Sequence, residues 1–350
     1  MLLQIFKTKL GSIFLRLFLC GIMFTTVITC IQEGHQSTEN KTCKDLDYRL
    51  SKNVLPRHYN INITFFATLD RLNGDCEINI EIFKTTSNIR LHSPEPSRNR
   101  IKLVTKNGTA CDPKDIDYYR EENMLNLCFE HQLSPGNYTL LISYKKNISK
   151  DIEEDYLKIL FWHAARTKQS TLVATNIHSV EARKWFPCWD EPEFKTTFQF
   201  KFNHKKKYSL WPTLSKGSST QHDQKKQDSM WTTFIISDSI STYQVMFTIT
   251  DLYFNEKYIL RATSDTLHKS FHTIRSRPIV GDSMEFSEDV IVKIIDAEWY
   301  RAIPGNIMSA NHIAIPAMQD DVIGKWRIIL YKYSDNKFLI ITLLTNILFY

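Results

Sequence analysis

The sequence has no apolar run long enough to cross a bilayer as a helix. Its two longest runs cover 17–31 and 338–350, fifteen and thirteen residues, whereas about 20 apolar residues are needed for a full span. Neither run is therefore a complete transmembrane helix by itself. The second belongs to an apolar tail, 334–350, that we interpret as a buried segment or as a frame or splice artefact.

The basic residues lack the arrangement of a nucleic-acid surface. The net charge of +6 comes partly from clusters at 205–207 and 225–226, which lie among polar residues without interleaved aromatics. We interpret them as solvated loops and expect no nucleic-acid partner. Disorder is also not expected, because a chain of 350 residues with 43% hydrophobic residues can bury a sizeable core.

Cysteine is scarce: only five cysteines, an odd number, follow the first apolar run. Cys111 and Cys128 are the pair that we expect to form a disulfide, because they flank a polar, acidic stretch that can turn back on itself. A bond between Cys43 and Cys76 is a weaker alternative. Either bond requires an oxidising compartment.

The N-terminus has the pattern of a secretory signal. Lys7, Lys9 and Arg16 precede the apolar run, and a polar linker, 32–44, follows it. Because 27–30 offers only a weak cleavage site, residues 1–31 are either a cleaved signal peptide or a signal anchor that tethers the protein to a membrane. We expect the secretory pathway and an extracellular or cell-surface location.

Five N-x-[ST] sequons follow this segment and lie in the first half of the chain. Together with a signal segment they predict a glycosylated exterior. The sequon asparagines are Asn40, Asn62, Asn107, Asn137 and Asn147.

Apolar and polar residues alternate through much of the region 45–255. Alternation at 59–65 predicts a half-buried strand, Asn73-Gly74 predicts a hairpin turn, and 76–82 predicts the next strand. The same period of two recurs at 138–144, 198–202 and 243–249. We therefore predict a mainly β fold of sandwich or saddle type.

Helical spacing appears only after residue 256. Asp282 and Glu285 resemble a capping box, and apolar residues follow at helical spacing through 297. We predict that a second, mixed α/β unit occupies 256–333. A chain that ends near residue 255 is then expected to be at least as soluble as the longer one.

The segment 173–198 resembles a known family. Arg183 is followed, after two residues, by the run Phe186-Pro187-Cys188-Trp189-Asp190-Glu191-Pro192. This pattern resembles the domain-junction motif of gluzincin aminopeptidases, the zinc metallopeptidases of aminopeptidase N type. Segments at 48–59, 240–243 and 312–316 resemble other family motifs in the same order.

The resemblance implies an aminopeptidase N-like N-terminal β domain at 45–255, followed by the incomplete start of a thermolysin-like domain. It also implies a structural role for the junction motif. Pro187 and Pro192 stiffen the corner, and Asp190 and Glu191 are expected to bind backbone amides or Arg183 rather than to act as an acid and a base.

The family's zinc site is missing from the sequence. Family members hold zinc with the two histidines of HExxH and a distant glutamate, but no HExxH occurs in these 350 residues. His268 and His272 have the spacing of the motif, but Lys269 stands where the base glutamate would be, and we interpret them as a fortuitous surface pair. We expect no metal and no cofactor, zinc being the cofactor of active members.

The family's peptide-holding GAMEN loop is altered as well. Its glutamate, which holds a substrate's free α-amine, corresponds to Gly324, and Lys325 beside it would repel an ammonium group. Asn176 stands where the family often has a glutamine that contacts the first substrate residue. Aligned on 314–316, the five loop positions are Asp321, Val322, Ile323, Gly324 and Lys325.

These differences predict a catalytically inactive, secreted or membrane-tethered glycoprotein that binds an unidentified protein, peptide or glycan. The alternative is a truncated form of a zinc-dependent aminopeptidase that removes N-terminal residues from peptides. An unrelated β-sandwich adhesion module is disfavoured by the junction motif.

Overall fold

The computed structural model describes twelve segments of the chain. All of them belong to one compact unit, Tyr48–Tyr350. The predicted signal segment and linker, the sequon Asn40, the loop residues Asn176 and Asp321 and the predicted helix near 282–297 lie outside the described residues. The described segments are 49–148, 156–162, 169–175, 180–213, 218–224, 226–252, 254–262, 269–276, 309–316, 322–325, 328–334 and 337–338.

Strands dominate the described residues, with two short 3-10 turns at Ala182–Lys184 and Thr242–Gln244. In chain order the strands are β1 (Val54–Phe65), β2 (Arg71–Ile82), β3 (Thr86–His92), β4 (Pro96–Thr105), β5 (Ala110–Cys111), β6 (Asp115–Tyr119), β7 (Met124–Leu133), β8 (Gly136–Asn147), β9 (Tyr156–Trp162), β10 (Gln169–Thr175), β11 (Thr197–Lys205), β12 (Ser209–Pro212), β13 (Ser218–His222), β14 (Ser229–Phe234), β15 (Phe247–Thr250), β16 (Asn255–Ala262), β17 (Lys269–Ser276), β18 (Ser309–Pro316), β19 (Val322–Lys325), β20 (Ile328–Ser334) and β21 (Lys337–Phe338).

These strands form four sheets. The largest has eight strands in the order β13-β14-β11-β1-β2-β8-β4-β5, and the others are β3-β7-β6, β12-β15-β10-β9 and β16-β17-β18-β20-β19, with β21 paired to β20. In the largest sheet only β1 and β11 are parallel neighbours. The predicted mainly β fold is confirmed.

Alternation along β1 builds the core of the largest sheet. Tyr59, Ile61 and Ile63 are fully buried, whereas Asn62 between them is exposed. The parallel register places Tyr59 beside Phe198, and their rings stack with centroids 4.8 Å apart. Phe200 and Phe202 continue the stack along β11. Large aromatic surfaces thus hold β1 and β11 together.

The hairpin between β1 and β2 is not at Asn73-Gly74, so that prediction is wrong. The turn spans 66–71, where the Phe66 amide donates to the Arg71 carbonyl at 3.1 Å, and Leu69 takes a positive φ of 52°. Gly74 instead lies within β2 opposite Tyr144 of β8. A Cβ at position 74 would overlap the Tyr144 ring, so the glycine serves the close approach of two strands.

The predicted Cys111–Cys128 disulfide is also wrong. Cys111 carries a free thiol on β5 of the eight-stranded sheet, whereas Cys128 is disulfide-bonded and lies on β7 of the three-stranded sheet. The polar stretch does turn back, but it brings Asp115 opposite Cys128. Cys76, the alternative partner of Cys43, is likewise a free thiol.

The sequons in the described residues are open to solvent. Asn62, Asn107, Asn137 and Asn147 are all exposed, as a glycan requires, and glycosylation stays a prediction. No helix in the described segments is both long and apolar enough to cross a membrane.

One apolar cluster joins the four-stranded sheet to the sheet that contains β19. It combines Leu172 and Ala174 of β10 with Ile313 and Ile315 of β18 and further buried residues. The cluster therefore crosses the predicted domain boundary between 255 and 256. The other members are Met246, Leu252, Phe254, Ile328 and Leu330.

Candidate functional site

The junction motif is organised around an ion pair between Arg183 and Asp190. The Arg183 Nε donates to the Asp190 Oδ2 at 2.9 Å, and the Arg183 backbone amide donates to the same oxygen at 3.2 Å. The other oxygen, Oδ1, accepts from the Thr242 hydroxyl at 2.8 Å. The 3-10 turn that carries Arg183 and the turn that carries Thr242 are thereby held to one carboxylate.

Burial sets the charge states in this motif. Burial raises the pKa of Asp190, against the opposing effect of its hydrogen bonds from Arg183 and Thr242. His92 accepts a hydrogen bond from the Asp190 amide at its Nδ1, at 3.3 Å, and burial together with the Arg183 charge lowers its pKa to about 3. His92 is thus neutral at pH 7, as an acceptor must be.

Glu191 ties the motif to the start of β1. Its Oε1 accepts from the Leu50 amide at 2.9 Å, and its Oε2 lies 3.4 Å from the Arg49 guanidinium. Trp189 is fully buried, and its amide donates to the Tyr59 hydroxyl at 3.0 Å. The predicted contacts of the two carboxylates with Arg183 and with backbone amides are therefore present.

The altered loop lies at a sheet edge. β19 pairs with β20, with Gly324 opposite Ile329 and Lys325 opposite Ile328, and it is the last strand of its sheet in the described part of the chain. Gly324 is exposed, and a Cβ placed on it would meet no atom of the described segments within 4 Å apart from its chain neighbours. No described residue therefore fills the space at position 324, which the resemblance assigns to the family's glutamate.

Lys325 connects this edge to the junction motif. Its ammonium lies 5.8 Å from the centroid of the Tyr243 ring, and Tyr243 directly follows Thr242, which holds Asp190. Burial lowers the pKa of Lys325, and the charge of Glu181 opposes this shift. Glu181 itself lies 3.3 Å from the Lys184 ammonium. Lys325 is thus a half-buried cation that interacts with Glu181, a carboxylate that also pairs with Lys184.

The described residues do not fit a zinc ion. They contain no group of three His, Cys, Asp or Glu side chains that could hold a metal. His272 lies on strand β17, so helical spacing with His268, which lies outside the described residues, does not apply to it. His272 is also buried, and its prediction as a surface residue is wrong.

Instead, two histidines form a buried chain of hydrogen bonds that the sequence did not reveal. The His272 Nδ1 and His312 Nε2 lie 3.0 Å apart, and the His312 Nδ1 lies 2.9 Å from the Tyr331 hydroxyl. Burial lowers the pKa of His272 to about 4 and that of His312 to about 3. These residues come from three neighbouring strands, which the local sequence pattern cannot align.

The fold and the junction motif define a mainly β protein with a buried corner at 183–192. The family model for the peptidase M1 N-terminal domain matches residues 55–244, more than half of the chain. The chain therefore belongs to the peptidase M1 family.

Curated relatives agree with this assignment. The chain is 24% identical over 297 residues to glutamyl aminopeptidase of Bos taurus, and the match covers 83% of this chain and 30% of the relative. It is 26% identical over 301 residues to endoplasmic reticulum aminopeptidase 1 of Homo sapiens, covering 82% and 30%. Puromycin-sensitive aminopeptidase of Caenorhabditis elegans is 24% identical over 289 residues, covering 81% and 29%. The chain thus spans about 30% of the length of these relatives.

Proposed function

We propose that these 350 residues form a non-catalytic, aminopeptidase-like protein that binds peptides along the edge strand β19. One observation carries the proposal: β19 is the last strand of its sheet in the described part of the chain. The resemblance assigns the substrate's α-amine to Gly324 on this strand, where no described residue fills the space of a side chain. An edge strand can pair with an extended peptide through its backbone, so binding does not depend on the lost carboxylate.

Three observations support the absence of catalysis. The sequence contains no HExxH, so the pattern that would supply two zinc ligands and a base is missing. In the described strands, His272 and His312 are bonded to each other. At Gly324 there is no side-chain carboxylate for an N-terminal ammonium. We therefore propose peptide binding without hydrolysis.

We further propose a secreted or membrane-tethered glycoprotein. The signal-like N-terminus supports secretion, and the exposure of four sequon asparagines supports glycosylation. Expression in cultured animal cells followed by glycosidase treatment tests this: a fall in apparent mass is expected, and an unchanged mass would contradict glycosylation.

The enzymatic part is tested with the purified chain in the presence of zinc. Fluorogenic aminoacyl substrates with neutral, basic and acidic residues should show no turnover above the no-protein control. Turnover that a chelator abolishes would overturn the proposal. The binding part is tested by fluorescence polarisation with short extended peptides, and saturable binding is expected.

The second candidate function is that of the relatives, which are named aminopeptidases. The match to the peptidase M1 N-terminal domain over 55–244 favours it, because that domain accompanies a catalytic domain in active members. These 350 residues would then be part of a longer zinc-dependent enzyme. A transcript that continues in frame into HExxH would establish this function, although Gly324 would still lack an amine anchor.

A further inference from the structure

Three of the sequon asparagines lie on one face of the largest sheet. Strands β1, β2 and β8 are neighbours in that sheet, and residues directly opposite each other in an antiparallel pair point to the same side. Asn62 of β1 is opposite Asp75 of β2, which is opposite Ser143 of β8. Asn137 and Asn147 are each an even number of residues from Ser143 on a strand whose register with β2 is continuous. They therefore share the side of Asn62.

The burial of these strands agrees with this arrangement. The three sequon asparagines are exposed, whereas Ile61, Cys76 and Ile142 are buried and lie opposite one another on the three strands. One side of the sheet thus packs on the core and the other faces solvent. We call the solvent side of β1, β2 and β8 the outer face.

The outer face lacks the apolar centre that a protein partner normally requires. No exposed large hydrophobic residue lies on β1, β2 or β8, and the outward-pointing Leu55 and Leu141 are half-buried. Polar groups pair across the strands, since the Ser143 hydroxyl donates to the Asp75 Oδ1 at 2.6 Å. The outward residues of β2 are all polar: Arg71, Asn73, Asp75, Glu77, Asn79 and Glu81.

The three sequons are spread over the outer face. Asn137 and Asn147 lie near opposite ends of β8, roughly 30 Å apart at the usual rise of a strand. Asn62 lies between these ends at the level of Ser143, two strands away, or about 10 Å across the sheet. A glycan is bulky and hydrated, so three glycans at these positions would cover both ends and the middle of the face.

We propose that N-linked glycans on Asn62, Asn137 and Asn147 together cover the outer face and exclude protein partners from it. The proposal rests on the glycosylation in the proposed function and adds which surface the glycans close. The edge strand β19 belongs to another sheet, so peptide binding there does not require this face.

The experiment uses the full chain secreted from cultured animal cells. Mass spectrometry of its glycopeptides gives the occupancy of each sequon, and we expect carbohydrate at all three asparagines of the outer face. The folded protein is then labelled with a bulky amine-reactive polyethylene glycol. Lys145, which is exposed between Ser143 and Asn147 on the outer face, should react slowly. Lys226, which is exposed between β13 and β14, reports the reactivity of an open lysine.

Variants assign the protection of Lys145 to the glycan beside it. Asn147→Gln should raise the labelling of Lys145 severalfold and leave that of Lys226 unchanged. Asn107→Gln, which removes a sequon in the turn after β4, is the matched control and should change neither. Ser149→Ala removes the same sequon as Asn147→Gln without changing the asparagine, and it serves if the first variant is poorly secreted.

The outcomes separate this proposal from the proposed function. Carbohydrate at Asn107 but not at the three asparagines of the outer face would overturn the covered face and leave the glycoprotein intact. Occupied sites with equal labelling of Lys145 in the unmodified chain and in both variants would also overturn it, because the glycans would then leave the face open. If no sequon carries carbohydrate, the proposed glycosylation itself fails.

Discussion

The buried junction motif and the edge strand β19 differ in how strongly their surroundings constrain them. In the motif, Asp190 keeps its arginine, hydroxyl and amide partners. At the edge, Gly324 is exposed, and a Cβ there would meet no atom of another described segment within 4 Å. A buried ion pair constrains its partners strongly because the loss of one leaves an uncompensated charge, whereas an exposed ligand-binding position can change without harm to the fold.

The largest expected effect comes from removing the whole sheet that contains β19. A chain ending at residue 254 would expose the cluster that contains Leu172, Met246 and Phe254. We therefore expect it to be less soluble and to bind a hydrophobic dye, contrary to the expectation from sequence. Size-exclusion chromatography and dye fluorescence measure this.

A chain ending at residue 338 is the control for that truncation, because it keeps every member of the cluster. If the chain ending at 254 stayed monomeric and cooperatively folded, the two sheets would be independent and the comparison would fail.

The next largest effect concerns the buried ion pair of the junction motif, compared with an exposed ion pair. Asp190→Ala removes a fully buried carboxylate whose partner Arg183 has only 18% of its side chain exposed. We expect a loss of about 3–5 kcal/mol in the free energy of unfolding, measured by urea denaturation. Glu193→Ala, which removes an exposed ion pair with Lys52, should cost less than about 1 kcal/mol. Equal losses of unfolding free energy in the two variants would mean that the buried ion pair contributes no more than the exposed one.

Acid pH should destabilise the junction motif and the sheet that contains β19, because each holds buried neutral histidines. Burial lowers the pKa of His92 and of His312 to about 3 and that of His272 to about 4, whereas an unfolded histidine titrates near 6.5. Protons then bind the unfolded state preferentially as the pH falls below about 6.5. Stability is therefore lost from about pH 6.5 down to about pH 4 for His272 and about pH 3 for His92 and His312, by roughly 2 kcal/mol per histidine at pH 5.

Urea midpoints at pH 7.5 and pH 5 measure this loss. His272→Gln should reduce the difference between the two midpoints, because glutamine does not titrate. An unchanged difference in the variant would mean that His272 is not a buried neutral group.

The smallest expected effect concerns the edge. Gly324→Glu restores the carboxylate of the family at a position with room for it, so the free energy of unfolding should change by no more than about 0.5 kcal/mol. Peptides with a free N-terminal amine should bind more tightly than acetylated ones, because the introduced carboxylate can pair with the ammonium group of the peptide. Fluorescence polarisation with free and acetylated N-termini measures the difference.

Gly324→Gln is the uncharged control and should not create a preference for the amine. If Gly324→Glu destabilised the protein strongly, the edge would be as constrained as the junction motif.

Much of the fold was predictable because a half-buried strand requires apolar and polar residues to alternate along the local sequence. Tyr59, Ile61 and Ile63 alternate with polar residues, and this pattern indicated both the strand and its buried face. The structural role of Asp190 was also predictable, because the junction motif has a recognisable order. The Asn73-Gly74 turn failed because a local turn signal was overridden by a distant Tyr144, which packs on the glycine.

The candidate site was only partly predictable. The sequence placed Gly324 and Lys325 at the altered loop, but nothing local indicated that the ammonium of Lys325 lies over Tyr243. Likewise, the strand register that brings His272 and His312 together depends on pairing between β17 and β18. Such contacts join residues that are distant in the chain, and periodicity carries no information about them.

The sequence by itself determined the alternation that builds the strands and the family through the junction motif, since both are a matter of residue order. Only the tertiary structure decided that β1 pairs with β11, that Cys111 is a free thiol, and that the cluster around Ile313 joins two sheets. The physical reason is that side-chain direction follows the local backbone period, whereas the choice of partner depends on how separate strands bury their surfaces together.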